Sequence, residues 1–123
     1  IIKYKQKIES KTHIFIVTEH MSQGGLYEYV RHKGFLEEYE ASLIMKQLID
    51  TVLYLNSLSL IHRDLKAENI MVVPRLIQIK LNKDKSMVER VKIIDFGFAI
   101  FQEMLKNMNI REKFAGTPGY LAP

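Results

Sequence analysis

Apolar positions along the chain fall into a few runs whose spacing differs from one to the next. Ile14-Phe15-Ile16-Val17-Thr18 is β-branched and aromatic, bounded by Lys11-Thr12 before it and Ser22-Gln23-Gly24-Gly25 after it. That composition and punctuation predict a strand entering a loop, with Ile1 to Tyr4 as its hairpin partner. From Glu37 to Ser57 the spacing becomes helical: Ala41, Ile44, Leu48, Val52 and Leu55 recur on one face, and Met45, Ile49 and Leu53 widen it. Glu37, Glu38 and Glu40 suit the positive end of a helix dipole. A long, largely buried helix is therefore expected over residues 37–57. Two short apolar runs follow, Ile70 to Val73 and Val91 to Ile94, separated by Pro74 and a Lys-rich stretch. They read as two strands of a hairpin with an extended loop.

Neither a repeat nor a low-complexity stretch nor a Pro/Gly/Ser linker interrupts the chain, so it reads as one continuous piece of folded protein. With 123 residues, 47% of them hydrophobic, it has enough material for a core of ordinary single-domain size and is neither disordered nor fibrous. The lack of cysteine excludes a disulfide scaffold and a Cys-built zinc site. No window approaches the roughly 18 consecutive apolar residues of a membrane span, and the N-terminus has no signal-peptide pattern. A soluble, cytoplasmic protein is expected, with the nucleus left open. The net charge of +4 attracts polyanions only weakly, and no block of five or six like charges occurs. Lys80, Lys83, Lys85, Arg90 and Lys92 lack aromatic interleaving, so they read as solvating a long loop rather than as a nucleic-acid site. The chain opens on Ile1-Ile2 and closes on Ala122-Pro123 without a terminal helix, which makes it read as part of something longer.

Three segments stand apart from this architecture. His62-Arg63-Asp64-Leu65-Lys66-Ala67-Glu68-Asn69 clusters ionisable side chains between the helix and a strand. Taken singly these residues suit a surface turn. Together they fit an anionic, metal-bearing substrate: Asp64 can orient a hydroxyl and accept its proton, Lys66 can neutralise phosphate charge, and Asn69 can ligate a hard cation through oxygen. Asp95-Phe96-Gly97 puts a carboxylate at a strand end beside a glycine that permits a sharp turn. Gly116-Thr117-Pro118-Gly119-Tyr120-Leu121-Ala122-Pro123 is rich in turn formers.

In this order and rough spacing, the three segments resemble the eukaryotic protein kinases. Residues 62–69 match the catalytic loop, residues 95–97 the metal-binding DFG motif, and Ala122-Pro123 the start of the motif that closes the activation segment. Lys66 is similar to the serine/threonine branch, and Gly116 to Tyr120 look most like the calcium/calmodulin-dependent and calcium-dependent group. The resemblance implies part of an α+β two-lobe fold, residues 1–21 ending the small lobe and hinge and residues 22–123 belonging to the mainly helical large lobe. It implies ATP and Mg2+, protein substrates bearing Ser or Thr, and calmodulin or a calcium-sensing domain outside these residues. Asp64 would be the base, Lys66 and Thr117 would act beside it, and Asn69 and Asp95 would hold magnesium. Thr18, Glu19, Met21, Lys66, Glu68 and Met71 would line the nucleotide site, while His62, Phe96 and, as a further candidate, Tyr4 would form a hydrophobic column. Arg63 would tie the catalytic loop to the activation segment.

The chain also departs from the family pattern. The Gly-rich loop and the phosphate-binding Lys of the small lobe are not among residues 1–123, which begin after their place in the family pattern, so residues 1–123 alone are expected to be inactive. Ala67 stands where Pro is usual, and Gly25 where many basophilic members carry Glu, which leaves basophilic specificity open. The step from Asp64 to Asp95 is longer than usual, with the excess around Arg75 to Arg90 in a loop that tolerates insertion. No Ser, Thr or Tyr lies between Asp95 and Gly116. Loop phosphorylation is therefore expected to be unnecessary, with Glu103 or Glu112 partnering Arg63 instead. Phe98 after the DFG motif implies that Ser is preferred to Thr as acceptor. The alternative is a catalytically inactive kinase-fold protein that binds nucleotide or partners.

Overall fold

A computed structural model describes residues 1–22, 24–73, 90–109 and 113–121. Among these residues there are three two-stranded antiparallel ribbons and two substantial helices. The first ribbon joins β1 (Tyr4–Glu9) to β2 (Ile14–Thr18). The partner of β2 is thus Tyr4–Glu9 rather than Ile1 to Tyr4. The turn decides this, because the Ser10 hydroxyl accepts the amides of Thr12 and His13 and so closes the hairpin only four residues before β2. Lys5, Gln6, Lys7 and Glu9 hide β1 from a search for apolar runs, since this ribbon is exposed along most of its length.

Helix α1 (Leu26–Lys33) is an element that the apolar spacing did not predict. Its ends carry local signals: Glu28 lies in the first turn, Arg31, His32 and Lys33 in the last, and Gly34 at φ 92° returns its amide to the Val30 carbonyl. Helix α2 (Glu38–Ser57) takes the predicted place. Its burial is narrower than expected: Ile44 and Leu55 are buried, whereas Met45, Ile49 and Leu53 are exposed. The spacing identified one broad apolar face, and only one edge of it meets the ribbon.

After α2 the chain turns through Ser59 at φ 55° into β3 (Leu60–Ile61), which pairs with β6 (Ile100–Phe101). The short helix α3 (Gln102–Leu105) follows β6. Between them, β4 (Ile70–Val73) pairs with β5 (Arg90–Ile93), one residue earlier than the predicted Val91 to Ile94. Of the long loop predicted around Arg75 to Arg90, residues 75–89 lie outside the described residues, Lys80, Lys83 and Lys85 among them, and Arg90 opens β5. Register sets Ile70 opposite Ile93 and Val72 opposite Val91. These four form one buried face of the ribbon, and Met71 and Lys92 share the other. The core lies where the buried face meets α1 and α2, in a cluster of Leu26, Ile44, Ile70, Val72 and Val91 with Tyr29, Val30, Leu36 and Leu48 around it. Gln47 of α2 reinforces the join by accepting the Val91 amide at 3.2 Å, and the Tyr29 hydroxyl and Lys33 both reach Glu40, linking the two helices.

Ile44 is 2% exposed. Ile44→Ala is expected to destabilise the protein by about 3 kcal/mol, read as a lower urea midpoint with an unchanged slope.

Candidate active site

The segment between β3 and β4 carries the ionisable cluster, and its backbone leaves regular structure to do so. Arg63 sits at φ 68°, after which Asp64 turns inward while Leu65 points out. Residues Ala67–Asn69 then make one 3-10 turn into β4. His62 is buried and satisfied at both ring nitrogens: Nε2 lies 2.9 Å from the Ile94 carbonyl and Nδ1 accepts the Asp64 amide at 3.2 Å. These contacts assign the proton to Nε2. Phe96 packs edge-on against the same ring, with centroids 4.8 Å apart. Among the described residues no ring contact joins Tyr4 to this pair, and Tyr4 is exposed in β1.

Asp64 is the centre of the cluster, 4% exposed. Its Oδ1 accepts the Thr117 hydroxyl at 2.6 Å, and its Oδ2 accepts the Lys66 ammonium at 3.0 Å and the Asn69 amide at 2.9 Å. Lys66 also donates to the Thr117 hydroxyl at 2.6 Å, which closes a ring of three side chains. The Thr117 bond first, and then the Lys66 bond, hold the Asp64 carboxyl below its ordinary value, and burial opposes them. A carboxylate offers about four lone-pair positions. Among the described residues three are filled, which leaves one acceptor position on Oδ1, suited to an incoming hydroxyl.

Thr117 reaches this ring only because of Gly116. At φ +125°, a Cβ on Gly116 would lie 2.6 Å from the Arg63 carbonyl oxygen and 2.9 Å from Leu121. The Arg63 Nε donates to the Phe98 carbonyl at 2.6 Å, a second tie between the loop and the segment after Asp95. Glu112, one of the two expected acidic partners of Arg63, lies outside the described residues.

Asn69 donates its amide to the Asp64 backbone as well as to its carboxylate. Its Oδ1, in a side chain only 7% exposed, receives no donor among the described residues. The Asn69 carbonyl accepts the Ile94 amide at 2.9 Å, which holds the strand end before Asp95 against the Asn69 backbone. Asp95, exposed and at φ 59°, spends Oδ1 on the Gly97 amide at 3.1 Å. An amide oxygen and a carboxylate are hard donors of the kind magnesium takes together with phosphate and water, so this pair fits such an ion.

The nucleotide-lining candidates gather elsewhere. Met21 is buried, yet neither its amide nor its carbonyl has a partner among the described residues. Buried backbone groups are normally paired, so this edge suits a planar ligand bearing both donor and acceptor. Gly25 bridges to Met71, and the Val72 amide bonds Gly24, which places Met71 beside this edge. Thr18 donates to the Glu19 carbonyl at 3.3 Å. Glu68 is exposed and reaches Tyr120 at 3.5 Å. From the sequence Lys92 reads as one of the residues that solvate a long loop; in the fold it is half-buried in β5 and ion-paired to Glu19. No sequence signal marks that pair, because 73 positions separate its members.

A family model for the protein kinase domain matches residues 1–123. Over all 123 residues the chain is 37% identical to sperm motility kinase 2A of Mus musculus, of which it covers 21%. It is likewise 37% identical to CBL-interacting serine/threonine-protein kinase 13 of Arabidopsis thaliana, covering 22% of that protein. With calcium-dependent protein kinase 5 of Plasmodium berghei it shares 36% identity, again over its full length and over 20% of the relative. The chain thus spans about a fifth of the length of these curated relatives.

Two outcomes follow from the geometry. The Asp64 carboxyl, followed by NMR, should titrate below the ordinary carboxylate range, and Thr117→Val should move it upward. Because the folded-state value is depressed, the stability it contributes is complete above the ordinary carboxylate pKa and is lost as pH falls through the folded value; Thr117→Val should shrink that acid-sensitive part. Gly116→Ala should cost about 2 kcal/mol or more, from backbone strain and the clash with Arg63, measured by denaturant unfolding.

Proposed function

The chain belongs to the protein kinase family, and from that premise we propose that it carries the transfer site of a serine/threonine protein kinase, which moves the γ-phosphoryl group of ATP to Ser or Thr hydroxyls of proteins. The observation that carries this reading is the buried Asp64 carboxylate, held ionised by Thr117, Lys66 and Asn69 with one acceptor position left on Oδ1. In that position a substrate hydroxyl would be oriented, and its proton accepted, as it attacks phosphorus. Lys66, already oriented by Thr117, would steady the charge on the transferring phosphoryl group. Asn69 Oδ1 and Asp95 would hold magnesium, which when bound supplies neutralising charge to the phosphates. The open amide and carbonyl of Met21 would take the adenine edge, with Thr18 and Glu19 before it and Met71 beneath. Glu68, exposed at the mouth, would complete the nucleotide-side lining. In this reading residues 1–21 end a small lobe and hinge, and residues 22–123 begin a large lobe.

The absence of Ser, Thr and Tyr between Asp95 and Gly116 supports a site assembled without loop phosphorylation. Phe98, half exposed after Gly97, favours Ser over Thr as acceptor. The name of the calcium-dependent relative supports regulation by calcium, and the regulator proposed is a calcium-sensing domain or calmodulin outside these residues. Among the described residues no helix is long and apolar enough to cross a membrane, and a cytoplasmic setting is part of the proposal.

The deciding experiment measures transfer from labelled ATP to a Ser/Thr protein by the full-length protein and its Asp64→Asn variant. Transfer should fall about a thousandfold or more in the variant. ATP binding without transfer by the parent, with magnesium and calcium/calmodulin supplied, would favour the inactive kinase-fold alternative. Phosphatase treatment of the parent should leave its rate unchanged.

A further inference from the structure

The ribbon face turned away from the helical core carries Met71 and Lys92 side by side. From there the Lys92 ammonium reaches the Glu19 Oε1 at 2.5 Å, with both side chains about a quarter exposed. The same oxygen accepts the Lys3 amide at 2.7 Å, and the Glu19 amide returns to the Lys3 carbonyl at 3.0 Å. One carboxylate therefore joins the start of β1, the end of β2 and the middle of β5. A further join between these ribbons is the bond from the Ile2 amide to the Ile93 carbonyl, at 3.1 Å.

The positions of the two charges give the pair its meaning. Glu19 lies two residues before Met21, whose backbone edge is open, and Lys92 lies three residues before Asp95. We propose that the Glu19–Lys92 ion pair is a positioning clamp that fixes the distance between the adenine-facing segment and the strand that presents Asp95, and so sets the affinity for ATP. The clamp rests on the kinase reading above. Its physical basis is a charge-assisted bond whose acceptor is already immobilised by Lys3, so little side-chain freedom is lost in forming it. Partial burial limits screening by salt. The Glu19 carboxyl is held below its ordinary value by the Lys92 bond first and the Lys3 amide second, in keeping with this geometry.

The test compares four full-length proteins: the parent, Glu19→Gln, Lys92→Met, and the reversed pair Glu19→Lys with Lys92→Glu. KM for ATP and Kd for Mg·ATP by calorimetry should each rise about fivefold in the single variants. KM for the protein substrate should stay near the parent's, any fall in kcat should be smaller than the rise in KM for ATP, and the reversed pair should regain part of the lost affinity, because an ammonium at position 19 cannot accept the Lys3 amide. Single variants with the parent's ATP affinity would overturn the clamp, as would a reversed pair no better than either single variant. A purely structural role would instead lower kcat and weaken both substrates together. If the parent binds Mg·ATP but transfers nothing, the kinase reading fails on its own, and the calorimetric comparison still decides the clamp.

Discussion

A carboxylate with almost no access to water needs donors, and Asp64 imposes that demand on everything around it. Three side chains meet it, and they come from different parts of the sequence. Lys66 and Asn69 lie on the same loop, two and five residues on, where the 3-10 turn folds the amide of Asn69 back. Thr117 comes from 53 residues away and must be delivered. Its delivery requires a backbone approach so close that only glycine fits at position 116. The charge of one buried group thus fixes the docking of a distant segment.

The same loop accepts local strain for this placement. Arg63 and Asp95 both occupy the left-handed region without being glycine, at roughly 1 kcal/mol each. Backbone stitching between residues 62–69 and 94–98 offsets it: His62 to the Ile94 carbonyl, the Ile94 amide to Asn69, and Arg63 to the Phe98 carbonyl. Each bond ends on a main-chain carbonyl, and two of the three are donated by the His62 and Arg63 side chains, so the join between the two loops rests on those two residues. The Ile94 bond thus ties the strand end that leads into the exposed Asp95 to the backbone of the buried Asn69.

Local signals were legible in the sequence and distant ones were not. The long helix, the β4/β5 ribbon and the three chemistry-bearing segments could be read because each is encoded within a short window by apolar period or by residue type. Helix α1 escaped a search for apolar spacing because its evidence is polar, in the basic last turn and Gly34. Strand β1 escaped because an exposed ribbon needs no apolar face. The burial of α2 was overstated, since periodicity shows which face is apolar but not how much of it is covered. The Glu19–Lys92 pair was invisible because both residues are ordinary surface types, and only the fold brings them together.

The β4/β5 ribbon connects these levels. Its period of two sends Ile70, Val72, Val91 and Ile93 into the core and leaves Met71 and Lys92 on the reverse. A slip of one residue would bury Lys92 among the helices and expose the core residues, so hydrophobic burial enforces the register. The register that makes the core also decides which residues face Glu19 and the open edge of Met21. It fixes, too, where the strand ends, and therefore where Asp95 begins. Packing on one face of a four-residue ribbon accordingly sets the geometry on the other, which is why the candidate nucleotide edge and the candidate metal ligands can keep a defined separation without touching.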